Sequence, residues 1–318
     1  MKAKLFAYIT VFFLSACSGG QAPSEKWSMA QKGVYSAAFD AQGQFALIAS
    51  IHHGGSYWQI DGFERLYNWN HKEGELSNIV ASAISADGRY AATAEQRKIA
   101  LWDTQTGEPI WLWQAPADIE TMKLSGDGQF ALLGMRNYEA ALFDIQNGGV
   151  KLRLPHEGIV QTVAITPDRR YAITGGDDSL VKVWDLSSTN PIYEWRLDNQ
   201  VKVVAISNDG SWAFASSHRG DSIIWNISTG EEQARLNIGS GTFLAAQFNK
   251  DASLLLTGAS SGQVHLWQVS DGKKLNTWKL GVENQWVTQN TQVEEVVFVN
   301  EGVRAIGANG SVYHFTLK

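Results

Sequence analysis

Short alternations of apolar and polar residues, separated by turn residues, run through almost the whole chain. They are clearest in residues 160–186, where three such runs flank two turn segments, residues 167–168 and 175–178. A period of two predicts β-strands with one buried face, and the Gly, Pro and Asp residues mark the turns between them. Three strands alone bury too little surface to be stable in water, so this pattern is expected to recur along the chain.

Two independent markers show that the pattern recurs about every 41 residues. The first marker is an aromatic residue near the end of a strand, found at Trp102, Phe143, Trp184, Trp225 and Trp267. The second is an acidic turn upstream of each aromatic residue, found at Asp87, Asp127, Asp168, Asp209 and Asp251. Agreement over five units indicates a true repeat. Four short strands in a unit of this length are typical of the blades of WD40 propellers.

The unit that ends at Trp184 resembles the WD40 family most closely. His156, Thr174, Asp178 and Trp184 fall at the positions of that family's structural hydrogen-bonded tetrad. The resemblance implies that Asp178 accepts a hydrogen bond from His156, which leads through Thr174 to the indole N–H of Trp184. Buried imidazole and indole N–H groups need such partners. The tetrad decays in other units, where the position of Asp178 is occupied by Gln96, Asn137, Arg219 and Ser261.

The repeat predicts one all-β domain over residues 26–318. The first unit begins near Val34, and its Tyr57-Trp58 pair takes the Trp-Asp place. The last unit ends after three strands, and residues 26–31 are the candidate for its missing fourth strand. Such a strand would close the ring and leave no open radial edge. We therefore expect a single seven-bladed WD40-like β-propeller closed by an N-terminal strand, with six or eight blades as the alternatives.

The first 16 residues are predicted to be a lipoprotein signal peptide. Lys2 and Lys4 precede a ten-residue apolar run that is too short to span a bilayer as a mature helix. Residues 14–17, Leu-Ser-Ala-Cys, resemble the bacterial lipobox, which implies lipid attachment at Cys17 after cleavage. An ordinary secretory signal with an incidental cysteine is the alternative. Residues 17–25 are then a lipidated tether, and Ser18 favours export to the outer membrane by the same resemblance.

Charge and cysteine content narrow the classes of partner. The formal net charge is −6, and removal of Lys2 and Lys4 would make it −8, which does not suggest nucleic-acid binding. Cys17 is the single cysteine, so its acylation would leave no disulfide. We expect a monomer without a cofactor.

Candidate chemistry is sparse. No Gly-rich phosphate loop, nucleophile elbow or His-Glu-x-x-His motif occurs in the sequence. His52-His53 is the best metal candidate, although adjacent strand residues point to opposite faces and rarely share a metal. The inner-strand segments are mostly Ala, Val and Ile, with Lys123, Glu294 and Glu295 as exceptions, which argues against catalysis in the channel.

Two further motifs have plain structural explanations. Asp177-Asp178 suggests calcium or acid catalysis, but it also fits a turn plus the tetrad acid. Residues 219–221 spell the adhesion tripeptide Arg-Gly-Asp, yet they fall on a hairpin where Gly is expected.

A second resemblance competes with the first. Asp103-x-x-Thr106-Gly107-x-x-x-Trp111 is similar to the docking motif of quinoprotein-type propellers, which include an outer-membrane assembly lipoprotein. The positions of Trp111 in later units hold Ala234 and Asn276, which weakens this alternative.

The predicted function is a non-enzymatic protein–protein interaction scaffold, lipid-anchored to the outer membrane, facing the periplasm and binding envelope proteins. On WD40 domains the face with the b–c and d–a loops is the usual contact face. That resemblance exposes His53, Arg97, Arg136, His218, Arg219 and Trp286 on one side. One alternative is a role in outer-membrane protein assembly or quality control. The other is a propeller enzyme or sugar binder that acts at the channel mouth.

Overall fold

The computed structural model describes residues 20–30, 32–72, 74–239, 241–281 and 291–317. Within these ranges the chain forms 28 β-strands and no helix, and so no helix long enough to cross a membrane. The strands make seven four-stranded sheets. The predicted signal peptide, Cys17 and Trp286 lie outside the described residues.

Each sheet is one blade, with strands a, b, c and d from the axis outward. Blade 1 comprises β2 (Val34–Phe39), β3 (Phe45–Ser50), β4 (Gly54–Gln59) and β5 (Glu64–Trp69). Blade 2 comprises β6 (Ala81–Ile84), β7 (Tyr90–Glu95), β8 (Lys98–Asp103) and β9 (Pro109–Gln114). Blade 3 comprises β10 (Ile119–Leu124), β11 (Phe130–Met135), β12 (Glu139–Asp144) and β13 (Val150–Pro155). Blade 4 comprises β14 (Val160–Ile165), β15 (Tyr171–Gly176), β16 (Leu180–Asp185) and β17 (Pro191–Arg196). Blade 5 comprises β18 (Val201–Ile206), β19 (Trp212–Ser217), β20 (Ser222–Asn226) and β21 (Glu232–Arg235). Blade 6 comprises β22 (Phe243–Phe248), β23 (Leu254–Ala259), β24 (Gln263–Gln268) and β25 (Lys274–Lys279). Blade 7 comprises β26 (Val293–Val299), β27 (Gly302–Gly307), β28 (Ser311–Thr316) and β1 (Glu25–Ser28).

The ring closes in blade 7, where β1 pairs antiparallel with β28. Trp27 lies opposite Val312 in this register, and the Met29 N–H donates to the Gly310 carbonyl oxygen at 2.9 Å. The predicted seven blades and the N-terminal closing strand are therefore confirmed. The strand spans Glu25–Ser28, so it begins one residue earlier and ends sooner than residues 26–31.

The core lies between neighbouring sheets, with the repeated aromatic residue of strand c in the space between two blades. Trp184 is fully buried and packs against Leu132, Ala140 and Leu154 of blade 3. Truncation of such a side chain costs about 3–5 kcal/mol, so these residues are a main source of stability.

Blade 1 departs from this arrangement. Trp58 lies opposite Ala46, as Trp184 lies opposite Ala172, so Trp58 takes the repeated aromatic position. Its indole N–H donates to Ser56 Oγ at 2.8 Å, because Ile48 stands where blade 4 has a threonine hydroxyl. Tyr57 faces the other way and stacks on Trp69 in the interface with blade 2.

The repeated aspartates brace the turns between strands a and b. Asp168 Oδ1 accepts hydrogen bonds from Thr166 Oγ1 at 2.6 Å and from the Arg170 N–H at 3.0 Å. The bond from Thr166, followed by that from Arg170, lowers the pKa of Asp168. Ser85 and Asp87, Ser125 and Asp127, and Ser207 and Asp209 repeat the hydroxyl-to-carboxylate bond. The second sequence marker is thus a structural turn residue.

Candidate interaction face

Five of the six predicted contact residues lie on one face of the ring. His53, Arg97, Arg136, His218 and Arg219 are exposed and occupy turns between strands b and c of blades 1, 2, 3 and 5. We call this side, with its b–c turns and d–a connections, the contact face. Whether Trp286 joins it stays a prediction.

The four predicted tetrad residues lie in contact at this face of blade 4. His156 Nδ1 is 2.9 Å from Asp178 Oδ2, and His156 Nε2 is 2.7 Å from Thr174 Oγ1. The Trp184 indole N–H donates to Thr174 Oγ1 at 2.9 Å. Burial alone would raise the pKa of Asp178, but hydrogen bonds from His156 and from two backbone N–H groups lower it to about 2. The carboxylate is therefore committed to structure and is not free for catalysis.

Blade 2 contains a related network that the sequence analysis missed. His71 Nε2 is 2.8 Å from Thr93 Oγ1, and the Trp102 indole N–H donates to the same oxygen at 2.9 Å. Glu95 takes the acid's place but stays 3.9 Å from His71 Nδ1. Burial lowers the pKa of His71. The sequence signal for such a network is a threonine in the strand before the repeated aromatic residue. The same signal occurs in blade 6, where the Trp267 indole N–H donates to Thr257 Oγ1 at 2.8 Å.

Arg97 and Arg136 are already paired within the contact face. Arg97 Nε donates to Asp118 Oδ1 at 2.8 Å, and Arg136 forms an ion pair with Glu120. Exposed pairs of this kind contribute about 0–1 kcal/mol, but they neutralise the charge that a partner would meet. These two arginines are therefore weaker contact candidates than the sequence suggested.

His218 and Arg219 line a pocket of about 900 Å³ between blades 5 and 6. Residues that sequence reasoning did not connect with them complete its wall: Lys202, Arg235, Asn237, Thr242, Ser260 and Gln292. Lys202 is the second residue of the inner strand β18, and Arg235 is the last residue of the outer strand β21. The sheet of blade 5 brings Lys202 and Arg235 to the same end as His218 and Arg219, and blade 6 adds Thr242 and Ser260.

A carboxylate from the preceding connection holds the turn that presents Arg219. Asp198 Oδ1 accepts from Ser217 Oγ at 2.6 Å and from the Asp221 N–H at 3.0 Å, and the serine hydroxyl in particular lowers the pKa of Asp198. A Cβ at Gly220 would lie 2.2 Å from the same oxygen, so a larger residue there would push the Asp198 carboxylate away from the turn. Arg219 has a φ of 55°, and its N–H donates to Thr242 Oγ1 at 3.1 Å. The turn is therefore held in a single, strained conformation.

The pocket carries positive charge in an acidic protein. Its lining holds three permanent cations, Lys202, Arg219 and Arg235, and a single carboxylate, that of Asp221. Arg235 is bound to Asp221 at 2.7 Å and to Glu232 at 2.7 Å, so its charge is largely compensated. Arg219 and Lys202 remain as the cations that an anionic ligand would meet. Arginine also forms bidentate bonds with carboxylates.

The central channel opens on the same face. A β-bulge early in strand a turns Glu120, Gln161, Lys202 and Glu294 toward a cavity of about 210 Å³. Lys123 Nζ is 3.2 Å from Glu295 Oε2, across 172 residues of sequence. Burial raises the pKa of Glu294, although a bond from Gln292 opposes it. The channel is thus more polar than the Ala- and Val-rich segments suggested.

The other motifs take structural roles in the described ranges. These ranges contain no cluster of three or more His, Cys, Asp or Glu side chains that could hold a metal, and His52 and His53 lie on an exposed turn. Asp103 accepts from the N–H groups of Gln105 and Thr106, as expected of a c–d hairpin, and Trp111 is half exposed on β9.

Comparison with known proteins supports the repeat assignment. A model described as "WD domain, G-beta repeat" matches residues 150–185, which cover the outer strand of blade 3 and strands a to c of blade 4. Residues 150–185 are thus similar to a WD40 repeat. The chain around them is a seven-bladed β-propeller, as similar solved structures also show. The Cps50 (Swd1) β-propeller domain of Myceliophteria thermophila superposes with a TM-score of 0.74, at 12% identity, over 92% of this chain and 100% of that chain.

Two distant curated relatives match this chain over most of their own length. The Protein LST8 homolog of Drosophila pseudoobscura pseudoobscura is 22% identical over 64% of this chain and 80% of its own. The guanine nucleotide-binding protein subunit beta of Oryza sativa subsp. japonica is 25% identical over 76% of this chain and 71% of its own. These similarities extend beyond the single matched repeat.

Proposed function

We propose that the protein is a non-enzymatic interaction platform, lipid-anchored in the bacterial cell envelope, that binds an acidic segment of a partner protein. The observation that carries the proposal is the cationic pocket between blades 5 and 6. Its turn is fixed before binding, so little ordering cost opposes association. Arginine is also among the residues enriched at binding hot spots.

Two further points support an interaction role. The relative from rice is named as a subunit, which describes a protein that works in an assembly. In the tetrad, the polar groups of blade 4 are used for internal bracing, as expected of a rigid frame that presents variable loops. The envelope location rests on the lipobox-like sequence at Cys17, and outer-membrane placement on Ser18.

The pocket is tested with a fluorescein-labelled hexaglutamate peptide and the mature protein. We expect binding that weakens with salt and a loss of at least tenfold in affinity for Arg219→Glu. Arg97→Glu is the matched control, because Arg97 is an equally exposed b–c residue already paired with Asp118. Equal affinity in the two variants, or equal binding of a hexalysine peptide, contradicts the proposal.

The partner is tested by photo-crosslinking in the native envelope. A crosslinker placed at His218 should capture a protein in the wild-type background and lose it when Arg219→Glu is added. A captured subunit of the outer-membrane assembly machinery would favour the assembly or quality-control alternative as the biological role. Capture of the same protein with and without Arg219→Glu would show that the pocket does not take part in the contact.

A second candidate function, a sugar binder or enzyme at the channel mouth, is favoured by one observation. Glu294 has a raised pKa and lies beside the Lys123–Glu295 pair, and carboxylates in unlike environments are typical of acid–base sites. Glu294→Gln with Glu295→Gln tests it. Loss of binding to an oligosaccharide panel would support this candidate, and unchanged hexaglutamate binding would leave the pocket intact as a separate site.

A further inference from the structure

The described chain begins at Gly20 and lies along the outer edge of blade 6 before it enters blade 7. Gln21 forms a parallel bridge with Trp278 on β25. The Gln21 N–H donates to the Thr277 carbonyl oxygen at 3.0 Å, and the Lys279 N–H donates to the Gln21 carbonyl oxygen at 3.0 Å. Gly20, with a φ of 57°, lies so close to the backbone of Trp278 and Lys279 that a Cβ there would be 3.0 Å from the Trp278 carbonyl carbon. The start of the described chain is thus fixed to one edge of the ring.

This attachment limits how far the ring can stand from a lipid on Cys17. Gly20 is three residue steps along the chain from Cys17, and an extended chain covers at most about 3.6 Å per step. The anchor point therefore lies within about 11 Å of the outer edge of blade 6, whatever conformation the intervening residues take. No other d-strand edge receives the chain in the described residues.

The same edge has the chemistry of a lipid-contacting surface. Lys273, Lys274 and Leu275 are exposed at one end of β25, and Lys279 is half-buried at the other. Leu275 leaves 45% of its surface exposed. Strand β25 contains no acidic residue, although the chain is acidic overall. Lysines near an anionic membrane surface attract it, and apolar side chains enter its interfacial region.

We propose that the outer edge of blade 6 rests on the membrane surface, so that the ring stands edge-on and its contact face points along the membrane. This inference depends on the lipid anchor of the proposed function and adds an orientation to it. The pocket between blades 5 and 6 then lies in the half of the ring nearer the bilayer, where it would meet membrane-proximal segments of a partner.

The test compares two exposed leucines on outer strands. The chain has one cysteine, Cys17, and a lipid on it blocks its thiol, so an introduced cysteine is the single labelling site. Leu275→Cys and its control Leu112→Cys, at 54% exposure on β9 of blade 2, receive a fluorescent maleimide. The lipidated proteins are placed in phosphatidylglycerol-containing vesicles with a headgroup-depth quencher. We expect at least threefold more quenching at position 275 than at position 112.

The outcomes separate the orientation from the anchor. A wild-type mature chain that takes up maleimide has a free Cys17, and the anchor of the proposed function fails. A wild-type chain that stays unlabelled, together with equal quenching at both positions or stronger quenching at 112, overturns the orientation alone. Stronger quenching at position 112 would place the apolar strand β9 on the membrane instead.

The attachment itself is tested by Gln21→Pro. Proline removes the N–H that bonds to Thr277, and we expect quenching at position 275 to fall at least twofold while hexaglutamate binding is unchanged. Ala22→Pro is the matched control, because the bridge uses the backbone groups of Gln21 only. Equal quenching in the two variants would show that the bridge does not orient the ring.

Discussion

The turns between strands b and c of blades 4 and 5 show how one repeat position serves two purposes. Asp178 in blade 4 and Arg219 in blade 5 occupy the same place relative to their strands. Asp178 is held by His156 and by the Glu157 N–H, at 2.9 and 2.8 Å, and ties the turn to the core. In blade 5 the bracing acid, Asp198, lies on the preceding connection instead and accepts from the turn.

The difference teaches where a propeller can place functional residues. Moving the bracing carboxylate from the turn to the connection keeps the turn rigid and frees the turn position for an exposed cation. The tetrad of blade 4 uses its polar groups internally, whereas blade 5 presents His218 and Arg219 to a pocket. In blade 5, the absence of the tetrad acid therefore coincides with the pocket that we propose as the binding site.

The largest expected effect is on the aromatic residue that both blades share. Trp184→Ala should lower the free energy of unfolding by about 3–5 kcal/mol, because it opens a cavity against blade 3 and removes the indole bond to Thr174. Urea titrations followed by fluorescence and circular dichroism measure it. Trp111→Ala, at a half-exposed site, is the control and should change stability by less than about 1 kcal/mol.

The tetrad hydroxyl gives the next effect. Thr174→Val keeps the shape but leaves the Trp184 N–H and His156 Nε2 without their shared partner, and we expect a loss of about 2–3 kcal/mol. Ser216→Ala in blade 5 breaks one buried hydroxyl pair, with Ser222 at 2.8 Å, and should cost about 1 kcal/mol. Equal costs in urea titrations would mean that the tetrad is no stronger than a single bond.

Low pH should weaken blade 4 through Asp178. The folded-state pKa is about 2 and the ordinary value is 3.8, so the stabilisation is complete above pH 4 and is lost as pH falls toward 2. The lost part amounts to about 2 kcal/mol. We expect the pH slope of the unfolding free energy between pH 4 and 2 to be steeper in the wild type than in Asp178→Asn. Identical slopes would contradict the assignment.

The fold could be predicted because the burial that creates it is local and periodic. An aromatic residue every 41 residues or so must be hidden by the preceding sheet, and each acidic turn braces its own strand pair, as Asp168 does with Thr166. Such signals can be recognised in the sequence because the same residue types recur at the same place in each repeat. Blade 1, where Trp58 lost its threonine partner to Ile48, shows that packing tolerates single losses.

The candidate site could be predicted only in part, because its residues meet through strand pairing across blade 5 and through contacts between blades. His218 and Arg219 were placed on the contact face, but their neighbours Lys202 and Arg235 come from strands a and d. The Lys123–Glu295 pair crosses the channel between blades 3 and 7. The bond of Gln21 to β25 joins segments more than 250 residues apart. None of these contacts has a periodic signature.

The bracing of blade 5 is broken more locally by Gly220→Ala. The new Cβ would clash with Asp198 Oδ1, and we expect a cost of about 1–2 kcal/mol. Asp198→Ala alone removes the brace, and the double variant should cost clearly less than the two single costs added together. Additive costs in this double-mutant cycle would show that the glycine is required for another reason. Hexaglutamate affinity should fall in each single variant, since both loosen the turn that carries Arg219.

The smallest expected change in stability separates strain from binding at one residue. Arg219→Gly relieves a left-handed backbone conformation but adds freedom to the unfolded chain, so the unfolding free energy should rise by at most about 1 kcal/mol. Arg97→Gly is the matched control: in its turn the left-handed residue is Gln96, with a φ of 50°, so no strain is relieved and the pair with Asp118 is lost. Hexaglutamate affinity should fall only for Arg219→Gly. If Arg219→Gly is destabilised but still binds hexaglutamate, the arginine supports the turn and does not bind the ligand. Blade 5 would then use this position for structure, as blade 4 does.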